Sequence, residues 1–232
     1  MSAVSHSIEA NTATITLDDG KANVFGHELI ADLGRALDEV EQEVGAVVIA
    51  GREGKLSGGF DLAVMQSGPD AARELVTAGA ELFLRVFTFP RPVVVACTGH
   101  AVAAGAILLL AADMRIGAEG PFKIGLNELS IGMPLPIFAV ELARQRLDPR
   151  RFPLAIGEAW LTDASEAVAT GFLDRAVGPD DVVAGAVEHA QGLASRIDPA
   201  AFATTRGHLR AGITADITAR MYDDLATFSL TK

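Results

Sequence analysis

One cysteine, few basic residues and no long apolar run set the first limits on this chain. Cys97 has no second cysteine to pair with, so no internal disulfide can form and a reducing, cytoplasmic setting is expected. The longest apolar stretch, around residues 101–112, falls short of the ~18–20 residues that span a bilayer and reads as a buried helix. The opening MSAVSHSIEA has no basic patch ahead of an apolar region, so no signal peptide is expected. Lys and Arg number 19 against 30 Asp and Glu, a net charge of −11. That balance argues against nucleic acid, whose phosphates are neutralised by Lys and Arg, and against an anionic membrane surface. It leaves room for a small phosphorylated ligand, which needs only a local basic spot. No His/Cys cluster has metal-ligand spacing, so no metal is expected. No Pro/Gly/Ser linker, low-complexity run or repeat divides the chain.

What is present is apolar and patterned. The 232 residues are 50% hydrophobic with a mean hydropathy of +0.31, enough for a sizeable core. SIEANTATITLDDG alternates in two runs and predicts a β-hairpin. ELIADLGRALDEVEQE places Leu29, Leu33, Leu37 and Val40 on one helical stripe. GAVVIAG and RPVVVACTG read as buried strands, and the helix between them, AARELVTAGAELFLRVFTF, stops at Pro90. AAGAILLLAAD is a helix apolar on nearly all sides. MRIGAEG and FKIG read as short strands, and FAVELARQRL as a helix. Alternating strands and helices imply an α/β fold with largely parallel pairing. Beyond about residue 155, LTDASEAVATGFLDRAV, DVVAGAVEHAQGLASRI and the tail from ATTRGHLRAG to MYDDLATFSL read as helices with short links. They form a helical extension of the same unit, with apolar faces suited to an oligomer interface.

Three segments could carry chemistry. In GKLSGGFDL (54–62), Gly58 and Gly59 let backbone approach a ligand, and Asp61 could brace the turn; an ordinary strand-to-helix turn with an Asp N-cap fits equally. In ACTGHAVAAGA, Gly99 and Gly105 bracket small residues before a helix whose first N–H groups lack intrahelical partners; tight packing alone also explains them. Together, two such turns beyond the carboxyl ends of parallel strands could converge two N–H groups on one oxyanion. Third, FKIGLNELSIGMPLP sets Glu128 in apolar surroundings that raise a carboxyl pKa and suit proton transfer; an exposed loop glutamate or a cap is the plain alternative.

In this order, the segments resemble the crotonase family, the enoyl-CoA hydratase/isomerase superfamily. GKANVFG is similar to its early CoA-side segment, LSGGFDL to its first glycine turn, PVVVACTGHAVAAGAILLLAADMRIG to its strand–glycine–helix–Asp element, and LTDASEAVATGFLDRAV to its later Thr-x-x-Glu-Ala helix. The resemblance implies a spiral of ββα repeats with the acyl-CoA site at residues 1–155 and a C-terminal helical trimerisation region at 156–232. It implies a homotrimer or dimer of trimers, and no cofactor apart from the coenzyme A carried by the substrate. It assigns the two oxyanion N–H groups to Gly58 and Ala104, and the acyl-CoA lining to Lys21, Ala22, Val24, Ser57, Gly59, Phe60, Asp61, Leu62, Gly105 and Ile107.

The family's hydratases use two glutamates. One matches Glu128; the other position holds Ile107, which has no proton to give or take. Adding water is easiest with paired carboxylates. Moving a double bond from the 3,4 to the 2,3 position needs a proton taken from C2 and returned at C4, which one carboxylate can do. IGLNELSIG also resembles the GLNE segment of the family's Δ3,Δ2-enoyl-CoA isomerases. The expectation is therefore an isomerase of this type with Glu128 as base and acid. The alternatives are a hydratase with a substituted second acid, another single-carboxylate acyl-CoA reaction such as hydrolysis or decarboxylation, and a non-catalytic acyl-CoA-binding protein. MPLP departs from the family's Pro-Gly-x-Gly, and Pro134 and Pro136 fix the backbone there. His100 and Cys97 read as packing residues, Ser57 lacks a Ser–His–Asp context, and Glu141 fits a solvated helix face. Lys21, Arg52 and Lys55 form a small basic group near the expected CoA mouth.

Overall fold

The computed structural model describes residues 2–228; Ser229 and Leu230, the last two residues of the expected C-terminal helix, lie outside them. A six-stranded sheet runs β1 (Val4–Glu9), β2 (Thr12–Leu17), β3 (Ala46–Ala50), β5 (Val93–Cys97), β7 (Met114–Ala118) and β9 (Arg175–Val177). The first pair is the antiparallel hairpin that alternation predicts, and every later pairing is parallel. A second sheet, parallel throughout, holds β4 (Gly54–Ser57), β6 (Gly99–Val102) and β8 (Ile124–Gly125).

The apolar strand runs are explained by two covered faces. Val47, Ile49, Val93, Val95 and Cys97 face the main core, while Ala46, Val48, Ala50, Val94 and Ala96 face the other side. There α8 (Val182–Arg196) lays down Val182, Ala186 and Ala190, spaced by four residues, so one helix stripe covers the sheet. On the main-core side lie α1 (His27–Val40) with its expected stripe of Leu29, Leu33, Leu37 and Val40, and α3 (Pro69–Thr88). Short α2 (Leu62–Gln66) precedes α3. Helix α4 (Ala104–Ala111) is buried at every residue, as its all-apolar sequence requires. Helix α5 (Ile137–Arg146) follows, then α6 (Phe152–Gly157), α7 (Ala164–Thr170) and α9 (Pro199–Ala226).

Three expectations are corrected. The glycine turns after β3 and β5 do not open directly toward helices, because β4 and β6 intervene and pair with each other. The region past residue 155 is not wholly helical. Gly171, at φ 98°, ends α7, and Arg175–Val177 then pairs with Ile116–Ala118 as the sheet's last strand. The tail is one helix of 28 residues, started by the Asp198 carboxylate, which accepts the Ala201 N–H, and by Pro199 in the first turn. No described helix is long and apolar enough to cross a membrane.

Candidate active site

The second sheet sets two turns side by side. At the end of β4 a buried asparagine, Asn23, holds the first turn. Its Nδ2 donates to the Leu17 carbonyl at 2.8 Å and its Oδ1 accepts the Asp19 N–H at 2.9 Å. Ser57 Oγ donates to the Asn23 carbonyl at 2.6 Å and accepts the Gly59 N–H at 3.1 Å. Ser57 is wholly buried with its hydroxyl so engaged, so its side chain braces the turn rather than lining open space as expected.

Gly58 is corrected too. Its N–H is given to the Ala22 carbonyl at 2.8 Å and is not free for an oxyanion. The free donor is two residues on. Phe25 N–H binds the Gly59 carbonyl at 2.8 Å and Asp61 N–H binds the Phe25 carbonyl at 3.2 Å. The Phe60 N–H between them has no partner among the described residues. A peptide group is planar and points its N–H opposite its C=O, so tying the Gly59 carbonyl to Phe25 aims the Phe60 N–H away from Phe25. Asp61 then caps α2, accepting the Ala63 N–H at 2.9 Å, and Leu62 is exposed at the helix start.

The second turn leads from β6 into α4. Ala103 occupies φ 53°, ψ −120°, a conformation that favours glycine. Its N–H is tied to the Gly125 carbonyl at 3.0 Å, and its own carbonyl accepts from Ala106 and Ile107. Ala104, the first helical residue, keeps an N–H with no partner among the described residues. The turns abut: a Cβ on Gly59, itself at φ 105°, would lie 3.1 Å from Ala103 Cβ and 3.8 Å from Ala104 N. Gly105 serves packing, since a Cβ there would stand 2.7 Å from the Ser57 carbonyl oxygen. Ile107 is buried inside α4.

Glu128 opens a short 3-10 turn, Glu128–Ile131, three residues beyond Gly125 of β8, which pairs with Val102 of β6. It is 3% exposed, and its Oε2 is buried with no hydrogen-bond partner. Burial pushes its carboxyl up from the ordinary 4.5 to about 7, against the smaller pull of the backbone N–H groups of Glu128 and Asn127. Asn127 Oδ1 beside it is also buried and unpartnered. The MPLP segment ends in α5, whose first N–H, on Ile137, is accepted by Asp224 of α9 at 2.8 Å. Asn127 stands in the GLNE segment, though nothing in the sequence marks its buried Oδ1, and nothing local marks the distant Asp224.

The remaining expected residues surround these turns unevenly. Val24 and Asp61 line a cavity of about 180 Å³ with Gly26 and Leu29, while Ala22 holds Gly58 and Lys21 is exposed. Arg52 donates to the Lys21 carbonyl at 3.0 Å and pairs with Asp18 at 3.1 Å, whereas Lys55 lies across from His100 in the β4–β6 register. Burial, then Lys55 and Lys123, hold His100 below its usual pKa, and its Nδ1 accepts the Lys123 N–H. Burial pushes the Cys97 thiol up to about 12, an inert core group. Glu141 is tied to Arg144 and to Arg220 of α9.

Comparison with known proteins identifies the family. The family described as enoyl-CoA hydratase/isomerase matches residues 7–232. The chain belongs to the enoyl-CoA hydratase/isomerase family. A crystal structure of an enoyl-CoA hydratase/isomerase family protein from Pseudomonas syringae superposes with a TM-score of 0.94 at 40% identity, covering 97% of both chains. A Mycobacterium tuberculosis protein, described as an enoyl-CoA isomerase in one crystal structure and as a probable enoyl-CoA hydratase in another, superposes at 0.91 with 37% identity in the first, covering 97% of this chain and 98% of that one, and at 0.92 with 38% identity in the second, covering 97% and 94%. A Thermus thermophilus protein named as an enoyl-CoA hydratase is 33% identical over 196 residues, 82% of this chain and 75% of its own. The spiral α/β architecture is thus that of the crotonase superfamily, and the chain is an enzyme of the hydratase/isomerase type.

Proposed function

We propose that this enzyme shifts the double bond of a 3-enoyl-CoA to the 2,3 position. The observation that carries the reading is Glu128: one buried carboxyl with a free oxygen and a pKa of about 7, on a site whose other carboxylate position is Ile107. The ionised carboxylate takes a proton from C2. Negative charge then moves onto the thioester oxygen, where the Phe60 and Ala104 N–H groups stabilise it, each by a few kcal/mol. The neutral carboxyl returns the proton at C4. A pKa near neutrality suits both halves, since the group must accept and release a proton in one turnover. Coenzyme A enters only as part of the substrate.

The reading includes a cytoplasmic homotrimer or dimer of trimers built through the C-terminal helices, supported by exposed Leu209 and Tyr222 on α9. The rival reading, a hydratase, is favoured by the names of several relatives, the T. thermophilus protein among them. The test is turnover of a 3-enoyl-CoA by wild type and Glu128→Ala. Wild type is expected to show kcat/KM rising with pH and levelling above about 7, and the variant to lose on the order of 10²–10⁴ in rate. Unchanged turnover in the variant refutes the assignment.

A further inference from the structure

We propose that Gly79, in the middle of α3, is a positioning residue for the Phe60 N–H; this rests on reading that N–H as an oxyanion donor. Gly79 has no backbone need to be glycine, since its φ is ordinary, and glycine weakens a helix interior. What it provides is a notch. A Cβ there would stand 2.4 Å from Phe60 Cε1 and 2.6 Å from Cζ, and 3.6 Å from Phe83 Cε2. The Phe60 ring is seated in that notch, tilted against Phe83 at 6.3 Å between centroids, and Phe83 also meets Phe25 edge-on at 5.2 Å.

The donor peptide is thereby held at two points. Its carbonyl end is tied to Phe25 N–H, and its other end is anchored through the Phe60 side chain in α3. Filling the notch forces the ring out and turns the peptide that carries the N–H. Emptying it, by shortening the ring, frees the same peptide to rock. Misplacing a donor by a fraction of an ångström costs catalysis while leaving most substrate contacts intact.

The experiment uses a 2,4-dienoyl-CoA, whose absorption moves to longer wavelength when its carbonyl is polarised, together with kcat and KM on a 3-enoyl-CoA. Gly79→Ala and Phe60→Leu are each expected to reduce the red shift of the bound probe and to lower kcat about tenfold, with KM within about threefold. Phe60→Leu with Gly79→Ala moves volume from one side of the contact to the other, and is expected to regain at least threefold in kcat and part of the shift. Thermal unfolding should show the Gly79→Ala protein folded, the gain in helix propensity from alanine offsetting part of the cost of the displaced ring. If Gly79→Ala does not fold, Phe60→Leu alone decides. Singles with the wild-type shift and kcat, or a double variant no better than the worse single, overturn the role of Gly79. A wild type that binds the probe without any shift overturns the donor reading itself, and this inference with it.

Discussion

The two ends of α4 are built to opposite rules. At its N-terminus Ala103 is strained and the Ala104 N–H is open, while Glu128, on the neighbouring segment, keeps one buried oxygen unpartnered. At its C-terminus polar groups are closed by arginines. Arg146 donates to the Leu110 and Ala112 carbonyls, the last of the helix. Asp113, the next residue, binds Arg206 and Arg210 of α9, lies 3.9 Å from Arg146, and accepts the Val93 N–H at 2.8 Å. Arg206 and Arg210 also reach the Phe87 and Phe89 carbonyls where α3 ends, and Arg115 pairs with Asp174 just before β9. Among the buried side-chain atoms of the described residues, Arg115 Nη1 and, one turn past Arg210, Thr214 Oγ1 are left without a partner there. The closed end ties α3, α4, α5, β5 and α9 together, whereas the open end leaves N–H groups and a carboxyl oxygen without partners, as the proposed oxyanion and proton-transfer roles require.

The largest expected effect breaks the closed end. Asp113→Ala leaves Arg206 and Arg210 without their shared anion and should lower unfolding free energy by about 3–5 kcal/mol in denaturant titration. A loss under about 1 kcal/mol would mean the cluster is not what holds these helices.

A smaller effect sharpens the open end. A carboxyl whose folded pKa is raised binds its proton more tightly when folded, so its contribution to stability is intact below the unfolded value of 4.5 and declines as pH rises toward about 7. At pH 8 Glu128→Gln, which carries no charge to bury, should be more stable than wild type by on the order of 2–3 kcal/mol, and the gap should close at pH 4. A gap independent of pH contradicts the buried, neutral-leaning carboxyl. The smallest effect is at Ala103: glycine there relieves the φ 53° strain and should add about 1 kcal/mol. Equal or lower stability would show that the turn is not strained.

Much of this contrast is readable in the chain. The strands β3 and β5 and the buried helix α4 follow from apolar runs too long for a one-sided surface. Glu128 stands out because a lone acid in apolar surroundings must titrate high. The open N–H of Phe60 is not readable, because every residue but proline has an N–H and only the Phe25–Phe60 bridge decides which one is spent. The resemblance assigns a donor to Gly58, whose N–H is spent on the Ala22 carbonyl. Arg175–Val177 escapes notice because three residues carry no usable period, and β7 supplies the edge that makes them a strand. The Asp113 cluster joins residues far apart in sequence, which no local pattern marks.

On the proposed mechanism one carboxylate, with isoleucine at the second position, moves a double bond and does not add water. The most direct test measures both reactions in one sample of wild-type enzyme, presenting a 3-enoyl-CoA and a 2-enoyl-CoA of the same chain length. Isomerisation is expected to be at least about a hundredfold faster than hydration. Hydration as fast as isomerisation would contradict it.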